Sequence, residues 1–294
     1  MKSNKTIFIL NPISGSGKKR RKNIEKTIRQ YIQNDVIEGE IWYSQYAGHA
    51  TELAKIAIKE NVKSVVVAGG DGSINEVAKV LVHTDTALGI IPAGSGNGLA
   101  HHLQLPFDIN KALEVILLGH IKKADVLNVD GHYVFSVAGL GFDAQVAQHY
   151  KSSTRRGLLT YIRSSVFEYF KYDYEKITLQ FDQQEITANV FFCLFSNANQ
   201  FGYNFGIMPQ AELFDNQLDI AIVPPISFFE VLKALPKVWN GKIEKISYIQ
   251  YFKTNILKII REKEGIINCD GDPYPTGKEF CVYVIPNALN IILP

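Results

Sequence analysis

The sequence predicts an α/β domain with a doubly wound parallel sheet, followed by an antiparallel β-sandwich domain. Three observations carry this. Over the first 125 residues, short β-branched runs alternate with segments of helical period, the pattern of βαβ units. Beyond them the segments become short, β-rich and broken by Gly, Pro, Asn and Asp, as in antiparallel sandwiches. A Gly-rich loop also follows three of the N-terminal strands, which places three such loops at one edge of a parallel sheet.

The elements follow in order. Residues 6–10 (TIFIL) read as a strand, and 18–33 as a helix with Ile24, Ile28, Tyr31 and Ile32 on one face. Residues 40–44 read as a strand and 50–60 as a helix. The run SVVVAGG at 64–70 has the β-branched character of a strand buried on both faces. A helix is expected from about Asn75 to Val82, a strand at 87–92, and helices at 96–103 and 109–118. A hairpin over 124–138 turns at Asp130-Gly131. Later strands are expected at 176–182, 185–196, 217–223, 246–252, 255–261, 264–269, 279–285 and 288–293, with helices at 154–171 and 227–239. The domains are therefore 1–125 and 126–285.

Composition bounds the function. Of 294 residues, 46% are apolar and 20% charged, which is globular and not disordered. Lys plus Arg (31) nearly balances Asp plus Glu (29), so no nucleic-acid partner is expected. Cys193, Cys269 and Cys281 form no CxxC pair and fit a reducing compartment. The histidines lack zinc-site spacing. The opening MKSNKTIFILNP has too short an apolar run for a signal segment, and no stretch approaches the ~20 apolar residues that span a bilayer. A soluble cytoplasmic protein is expected, with contact to a membrane surface left open. A homodimer is also left open.

The strongest local signal is Gly69-Gly70-Asp71-Gly72-Ser73-Ile74-Asn75-Glu76, between a buried-type strand and a helix. Glycine lets the backbone turn sharply and approach a ligand, and a helix N-terminus offers N–H groups to phosphate. Ser73 and Glu76 have the spacing of a capping box. Asp71 would repel phosphate unless it positions a metal, a water or a hydroxyl; the plain alternative is a turn former in a tight βα connection. The equivalent loops are Asn11–Gly17 and Pro92–Gly98. Two tempting matches fail. A P-loop ending at Lys18 would need Gly at 12 and a hydroxyl at 19, where Pro12 and Lys19 stand; no Gly-x-Gly-x-x-Gly is present either.

On these residues the chain resembles the diacylglycerol kinase catalytic-domain family, which includes bacterial lipid kinases and sphingosine kinases. The matching stretches are Asn11–Gly15, Gly69–Ser73 with Asn75-Glu76, Pro92–Asn97, Gly139–Ala144, Pro209–Asp219 and Cys269–Asp272, spread over nearly the whole length. The resemblance implies an ATP- and Mg²⁺-dependent lipid kinase of phospholipid metabolism, peripheral at the inner membrane surface, with lipid entering between the domains. It implies ATP contacts from Asn11, Ser14, Gly15, Thr51, Gly69, Gly70, Asp71, Gly72, Ser73, Ile74, Asn75, Gly94, Ser95 and Asn97. It implies Asp270 as base, with Asp71 and Asp272 beside it in the catalytic set, and Mg²⁺ ligation by the Asp215 carboxylate with the backbone carbonyls of Glu212 and Gln217. It also implies that 286–294 return to the first domain. Read alone, Asp270-Gly271 and Asp215-Asn216 are ordinary turn pairs.

Gly98 stands where bacterial members usually carry Asp, which resembles the sphingosine kinases and tilts the acceptor toward a long-chain base. Asp272 replaces Glu and Asn216 replaces Gly of the family pattern. Basic residues at 18–22, and Lys151, Arg155, Arg156 and Arg163, suit solvated helix faces, ATP phosphates or an anionic bilayer. The aromatic run from Phe167 to Tyr174 suits packing or an acyl-chain cleft. Two rival functions stand beside the kinase reading: an NAD kinase, and a non-catalytic regulator that binds nucleotide or lipid.

Overall fold

The computed structural model describes residues 4–12, 17–152, 158–199, 206, 208–240 and 242–294. The chain divides into two compact units, Met1–Ala124 with Asn287–Pro294, and Asp125–Pro286.

The first unit is a parallel sheet with helices on both faces. Its elements are β1 (Thr6–Leu10), α1 (Lys18–Gln33), β2 (Gly39–Tyr43), α2 (His49–Lys59), β3 (Ser64–Gly69), α3 (Asp71–Leu81), β4 (Ala87–Pro92), α4 (Gly98–His102) and α5 (Ile109–Leu118). The strand order is β2-β1-β3-β4, all parallel. Strand period sends alternate residues to opposite faces. Phe8, Val66 and Ile91 meet α1 and α5 through Ile24, Ile28 and Leu113. Ile7, Ile9, Val65 and Val67 are fully buried on the other face, where α2 and α3 pack. Because the strands run the same way, the loops after Leu10, Gly69 and Pro92 leave from one edge.

α3 begins four residues earlier than the sequence suggests, at Asp71, with Gly70 extended before it. The capping-box expectation is thereby overturned. Ser73 lies inside the helix, and the Glu76 carboxylate reaches to α2, accepting the N–H groups of Gly48 (2.9 Å) and Ala50 (3.2 Å). An acidic group at a helix N-terminus answers its unpaired N–H groups and its dipole.

β5 (His120–Val129) enters the second unit at Asp125. There follow β6 (His132–Val134), β7 (Val137–Gly141), α6 (Phe142–Ser152), α7 (Leu158–Tyr169), β8 (Glu175–Phe181), β9 (Gln184–Val190), β10 (Phe192–Ser196), β11 (Leu218–Val223), α8 (Phe228–Trp239), β12 (Gln250–Thr254), β13 (Ile256–Arg261), β14 (Gly265–Cys269), β15 (Asp272–Thr276) and β16 (Glu279–Leu293). One antiparallel sheet runs β12-β11-β10-β7-β14-β15. The other pairs β9, β8, β13 and β16, joined by β5 and β6. Leu140, Phe195 and Ile220 from the first sheet and Leu179, Ile259 and Val282 from the second share one core, so this unit is a β-sandwich.

The runs 185–196 and 132–138 each break in two, at Phe191 and at Phe135-Ser136, because the halves belong to opposite sheets. In place of a strand from 246, only Gln250–Thr254 is extended. β15 reads DPYPT, and its prolines hide it from any propensity argument. They are tolerated because β15 lies at a sheet edge, where a missing N–H donor costs no ladder bond. α6 has no counterpart among the expected elements, while α8 falls almost where the apolar spacing places it. Among the described residues no helix is long and apolar enough to cross a membrane.

Candidate active site

In the first unit the three Gly-rich loops are joined by named contacts. Gly94 and Gly70 touch backbone to backbone: a Cβ on Gly94 would lie 2.4 Å from the Gly70 Cα, and one on Gly70 would lie 3.1 Å from the Gly94 Cα. Gly94 admits no side chain while the loops stay together, and a side chain at Gly70 would be a tight fit. Asn11 Nδ2, just after β1, donates to Ser73 Oγ at 3.0 Å. The Asp71 carboxylate accepts from the N–H groups of Asn97 (2.7 Å) and Gly98 (2.8 Å). Burial raises the Asp71 carboxyl above the ordinary range, and these N–H donors oppose the rise.

Asn97 is a second clasp. Its φ is +53°, in the left-handed region that Asn tolerates, and its amide closes the loop on itself. Oδ1 accepts the Gly94 N–H (3.0 Å), and Nδ2 donates to the Gly94 carbonyl (2.8 Å). The Asn97 side chain thus shapes the loop. Thr51 likewise donates to the Glu76 carbonyl at 3.1 Å and ties α2 to α3. Arg20, from the basic run on α1, donates to the carbonyls of Pro92 and Phe107 and anchors the end of β4.

Other groups face the same loops differently. Gly72 is exposed, and a methyl group placed on its Cα would have nothing within 4 Å, so its backbone is open to a ligand. Ser95 is exposed, and Ile74 is core. Asn75 is buried, and its Oδ1 has no hydrogen-bond partner, an acceptor without a donor. Gly69 closes β3 with its Cα against Ser73. Ser14 and Gly15 lie outside the described residues, as do Arg155 and Arg156.

In the second unit the turn between β14 and β15 carries Asp270 at φ +51°, followed by Gly271 at φ +92°. The Asp270 carboxylate accepts three backbone N–H groups: Phe135 (2.8 Å) on Oδ2, and Ser136 (2.9 Å) and Val137 (3.0 Å) on Oδ1. These fix the carboxylate against the crossing between β6 and β7. Asp272 is exposed and pairs with Lys151 at 3.0 Å.

Two further buried carboxylates lie in stretches matched by the resemblance, which gives them no role. Asp143, from the Gly-Phe-Asp-Ala stretch, accepts from Asn268 Nδ2 at 2.8 Å beneath Gly139, and burial pushes its carboxyl up to about 6. Asp219 lies directly across the β11–β12 ladder from Lys253. Burial pushes its carboxyl up to about 6, although Lys253 opposes the shift.

That cross-strand pair adjoins the residues expected at Mg²⁺. Asp215 Oδ2 takes the Lys253 ammonium at 2.8 Å, and its Oδ1 takes the Gln217 N–H at 3.1 Å. Lys253 also reaches Asp219 at 3.5 Å. The Asn216 N–H is held by Asp125 at 2.7 Å, and Glu212 is exposed. Among the described residues no cluster of three or more acidic, His or Cys side chains is arranged for a metal. The Asp215 carboxylate is thus engaged by the Lys253 ammonium, which any cation bound there would have to share or displace.

Known proteins share both units. Residues 5–129 match the model of the diacylglycerol kinase catalytic domain. Residues 136–293 match that of the YegS C-terminal NAD kinase beta sandwich-like domain. The chain is 26% identical to a probable lipid kinase YegS-like of Pectobacterium atrosepticum, over 98% of this chain and 96% of that protein. It is 27% identical to a diacylglycerol kinase of Bacillus subtilis, over 90% of this chain and 88% of that one. A diacylglycerol kinase crystal structure from Bacillus anthracis superposes with a TM-score of 0.74 at 18% identity, covering 99% of this chain and 97% of the other; it shares the fold.

Proposed function

The chain belongs to the diacylglycerol kinase catalytic-domain family, and on that premise we propose that it is a lipid kinase. It transfers the γ-phosphoryl group of ATP, delivered with Mg²⁺ as substrate, to a hydroxyl of diacylglycerol or a related lipid such as a sphingoid base. The observation that carries this reading is the backbone contact of Gly70 with Gly94, reinforced by Asp71 and Asn11. It holds three loops together at one sheet edge, the place where parallel α/β sheets bind phosphate ligands.

Phosphoryl transfer passes through a loose transition state, so positioning and charge neutralisation dominate. The lipid oxygen bonds to the γ-phosphorus, the bond from that phosphorus to the β–γ bridging oxygen breaks, and ADP leaves. The Gly-rich loops orient the phosphates. Asp270 receives the hydroxyl proton, with three N–H donors fixing the direction of its carboxylate.

Purified protein with γ-labelled ATP and Mg²⁺ should label a member of a panel of diacylglycerol, sphingosine, ceramide and monoacylglycerol, and leave NAD unlabelled. Asp270→Asn should lose turnover while keeping its ATP affinity and thermal melt. Label on NAD alone, or on nothing while lipid still binds, would replace the kinase reading with one of the two rivals.

A further inference from the structure

The turn that carries Asp270 has a twin in the same unit. Asn128-Val129-Asp130-Gly131 and Asn268-Cys269-Asp270-Gly271 share the pattern Asn-x-Asp-Gly. In each, Asp and Gly take positive φ, +49° and +85° in the first turn and +51° and +92° in the second. In each, the Asn Oδ1 accepts the Gly N–H at 2.9 Å. Successive positive φ values make a tight hairpin turn, and an Asn side chain that bonds the backbone further on steadies it. The first turn, with Asp130 exposed, shows that Asn, Asp and Gly suffice to form this bend.

The second turn has a further partner. Asn268 Nδ2 donates to Asp143 Oδ2 at 2.8 Å, and both side chains are buried. The ladder makes room for this bond: Asn268 lies directly across from Gly139, where a Cβ would stand 2.8 Å from Asp143 Oδ2. Asp143 comes from the first turn of α6, which packs on β14 and β15. A buried carboxylate loses its hydration, and the Asn268 amide offsets only part of that loss, since burial still pushes the Asp143 carboxyl up to about 6. The twin turn forms without such a group, so the bend alone does not account for Asp143.

What Asp143 adds is direction. An amide has a donor end and an acceptor end. An ionised carboxylate only accepts and the Gly271 N–H only donates, so one orientation of Asn268 satisfies them together. Asp270 is left-handed, a conformation that a non-glycine residue keeps where its surroundings hold it. It is held from two sides. Asn268 secures Gly271, while the Phe135–Val137 backbone gives three N–H groups to the Asp270 carboxylate and a carbonyl, that of Val137, to its N–H.

We propose that Asp143 is a positioning residue: through the Asn268 amide it holds the turn so that the Asp270 carboxylate keeps a single direction. The inference rests on the reading of Asp270 as proton acceptor in lipid phosphorylation, and Asp143 acts on that reaction only through Asp270.

The test uses the full-length protein and reads two quantities. Hydrogen exchange at the amides of Phe135, Ser136 and Val137 reports the Asp270 carboxylate, which accepts those N–H groups. Kinetics with Mg-ATP and the panel lipid that wild type phosphorylates report turnover. Asp143→Leu removes the acceptor; it should speed exchange at these amides and lower kcat, each by at least about tenfold, with KM for ATP unchanged. Asp143→Asn keeps an acceptor for Asn268, and the flipped amide pair is disfavoured by the unpaired groups it creates, so both readouts should stay within about twofold of wild type. Asn128→Ala removes the matching bond at the twin turn and should lower the thermal midpoint while keeping turnover.

Should Asp143→Leu fail to fold, the exchanged pair decides. Asn268→Asp alone sets two carboxylates together and should lose turnover and protection. The double variant Asp143→Asn, Asn268→Asp restores a donor between them and an acceptor for Gly271, and should regain both. Normal turnover and protection in Asp143→Leu, equal losses in Asp143→Asn and Asp143→Leu, or a folded double variant that regains neither, overturns the proposal. Exchange that responds as expected in a protein that phosphorylates no lipid supports the hold on Asp270 and counts against the kinase reading alone.

Discussion

Asp71 holds Asn97: its carboxylate accepts the Asn97 N–H at 2.7 Å and the neighbouring Gly98 N–H at 2.8 Å, binding the loop after β3 to the loop after β4. This explains how a carboxylate is accommodated in a phosphate-type loop, since its charge is directed at the donors that open α4. Asp71→Asn keeps one acceptor oxygen and turns an amide N–H toward the other donor. Leaving one N–H unpaired costs about 1–3 kcal/mol. The expected outcome is a lower thermal midpoint and a raised KM for ATP, with kcat less affected. Lost turnover at an unchanged midpoint would move the proton-accepting role from Asp270 to Asp71.

The contact of Gly94 with Gly70 makes a paired prediction. Gly94→Ala would place a methyl 2.4 Å from the Gly70 Cα, so the loops must separate. It should lower the midpoint and abolish detectable ATP binding by calorimetry. Gly72→Ala meets nothing within 4 Å and should leave the stability within about 0.5 kcal/mol of wild type. Weakened ATP binding in Gly72→Ala would then report the ligand itself approaching that backbone. Equal behaviour of the two variants would remove the loop pair from the nucleotide site.

Much of this site is legible in the sequence, for a physical reason. Glycine runs after buried strands specify where the backbone must turn, and parallel strands bring the turns to one edge, so the convergence of Asn11, Gly70 and Gly94 follows from the pattern. What it does not reveal is which polar atoms spend their hydrogen bonds on the scaffold. Ser73 and Glu76 have capping-box spacing, yet Glu76 serves α2, because tertiary proximity outcompetes a local partner. Thr51 and Asn97 fall in nucleotide-contact positions of the resemblance, and their side chains bond to the protein's own backbone. The pairing of Asp219 with Lys253 depends on the β11–β12 register, which no local spacing encodes. β15 is hidden by prolines that only its edge position makes acceptable.

Asp143 gives a pH prediction. Its carboxyl titrates near 6 in the folded state because it is buried, against about 4 when unfolded. Between these values the native state holds a proton that the unfolded state has released. Stability from this group is therefore fully present below about pH 4 and is lost as pH rises through about 6. Asp143→Asn should still accept from Asn268 and needs no ionisation. At pH 7.5 it should equal or exceed wild type by on the order of 2 kcal/mol, and the gain should shrink toward pH 5. Urea melts of both proteins at the two pH values decide it; a gain that grows on acidification would show that Asp143 is stabilised as its anion.

The last prediction concerns the cation at Asp215. Lys253 lies between Asp215 (2.8 Å) and Asp219 (3.5 Å) and is positioned by the strand ladder as well as by its own rotamer. Lys253→Met keeps the side-chain bulk and removes the charge, leaving two carboxylates facing each other, Asp219 among them deeply buried. Breaking such a partly buried pair should cost about 1–3 kcal/mol, short of the full penalty for an ion lost from a closed interior. The vacated oxygens then suit a hard divalent cation. Millimolar Mg²⁺ should raise the thermal midpoint of Lys253→Met and leave that of wild type in place, read by calorimetry without nucleotide. If Mg²⁺ raises the wild-type midpoint equally, the ammonium and the ion coexist, and the magnesium site expected at Asp215, Glu212 and Gln217 stands in its original form.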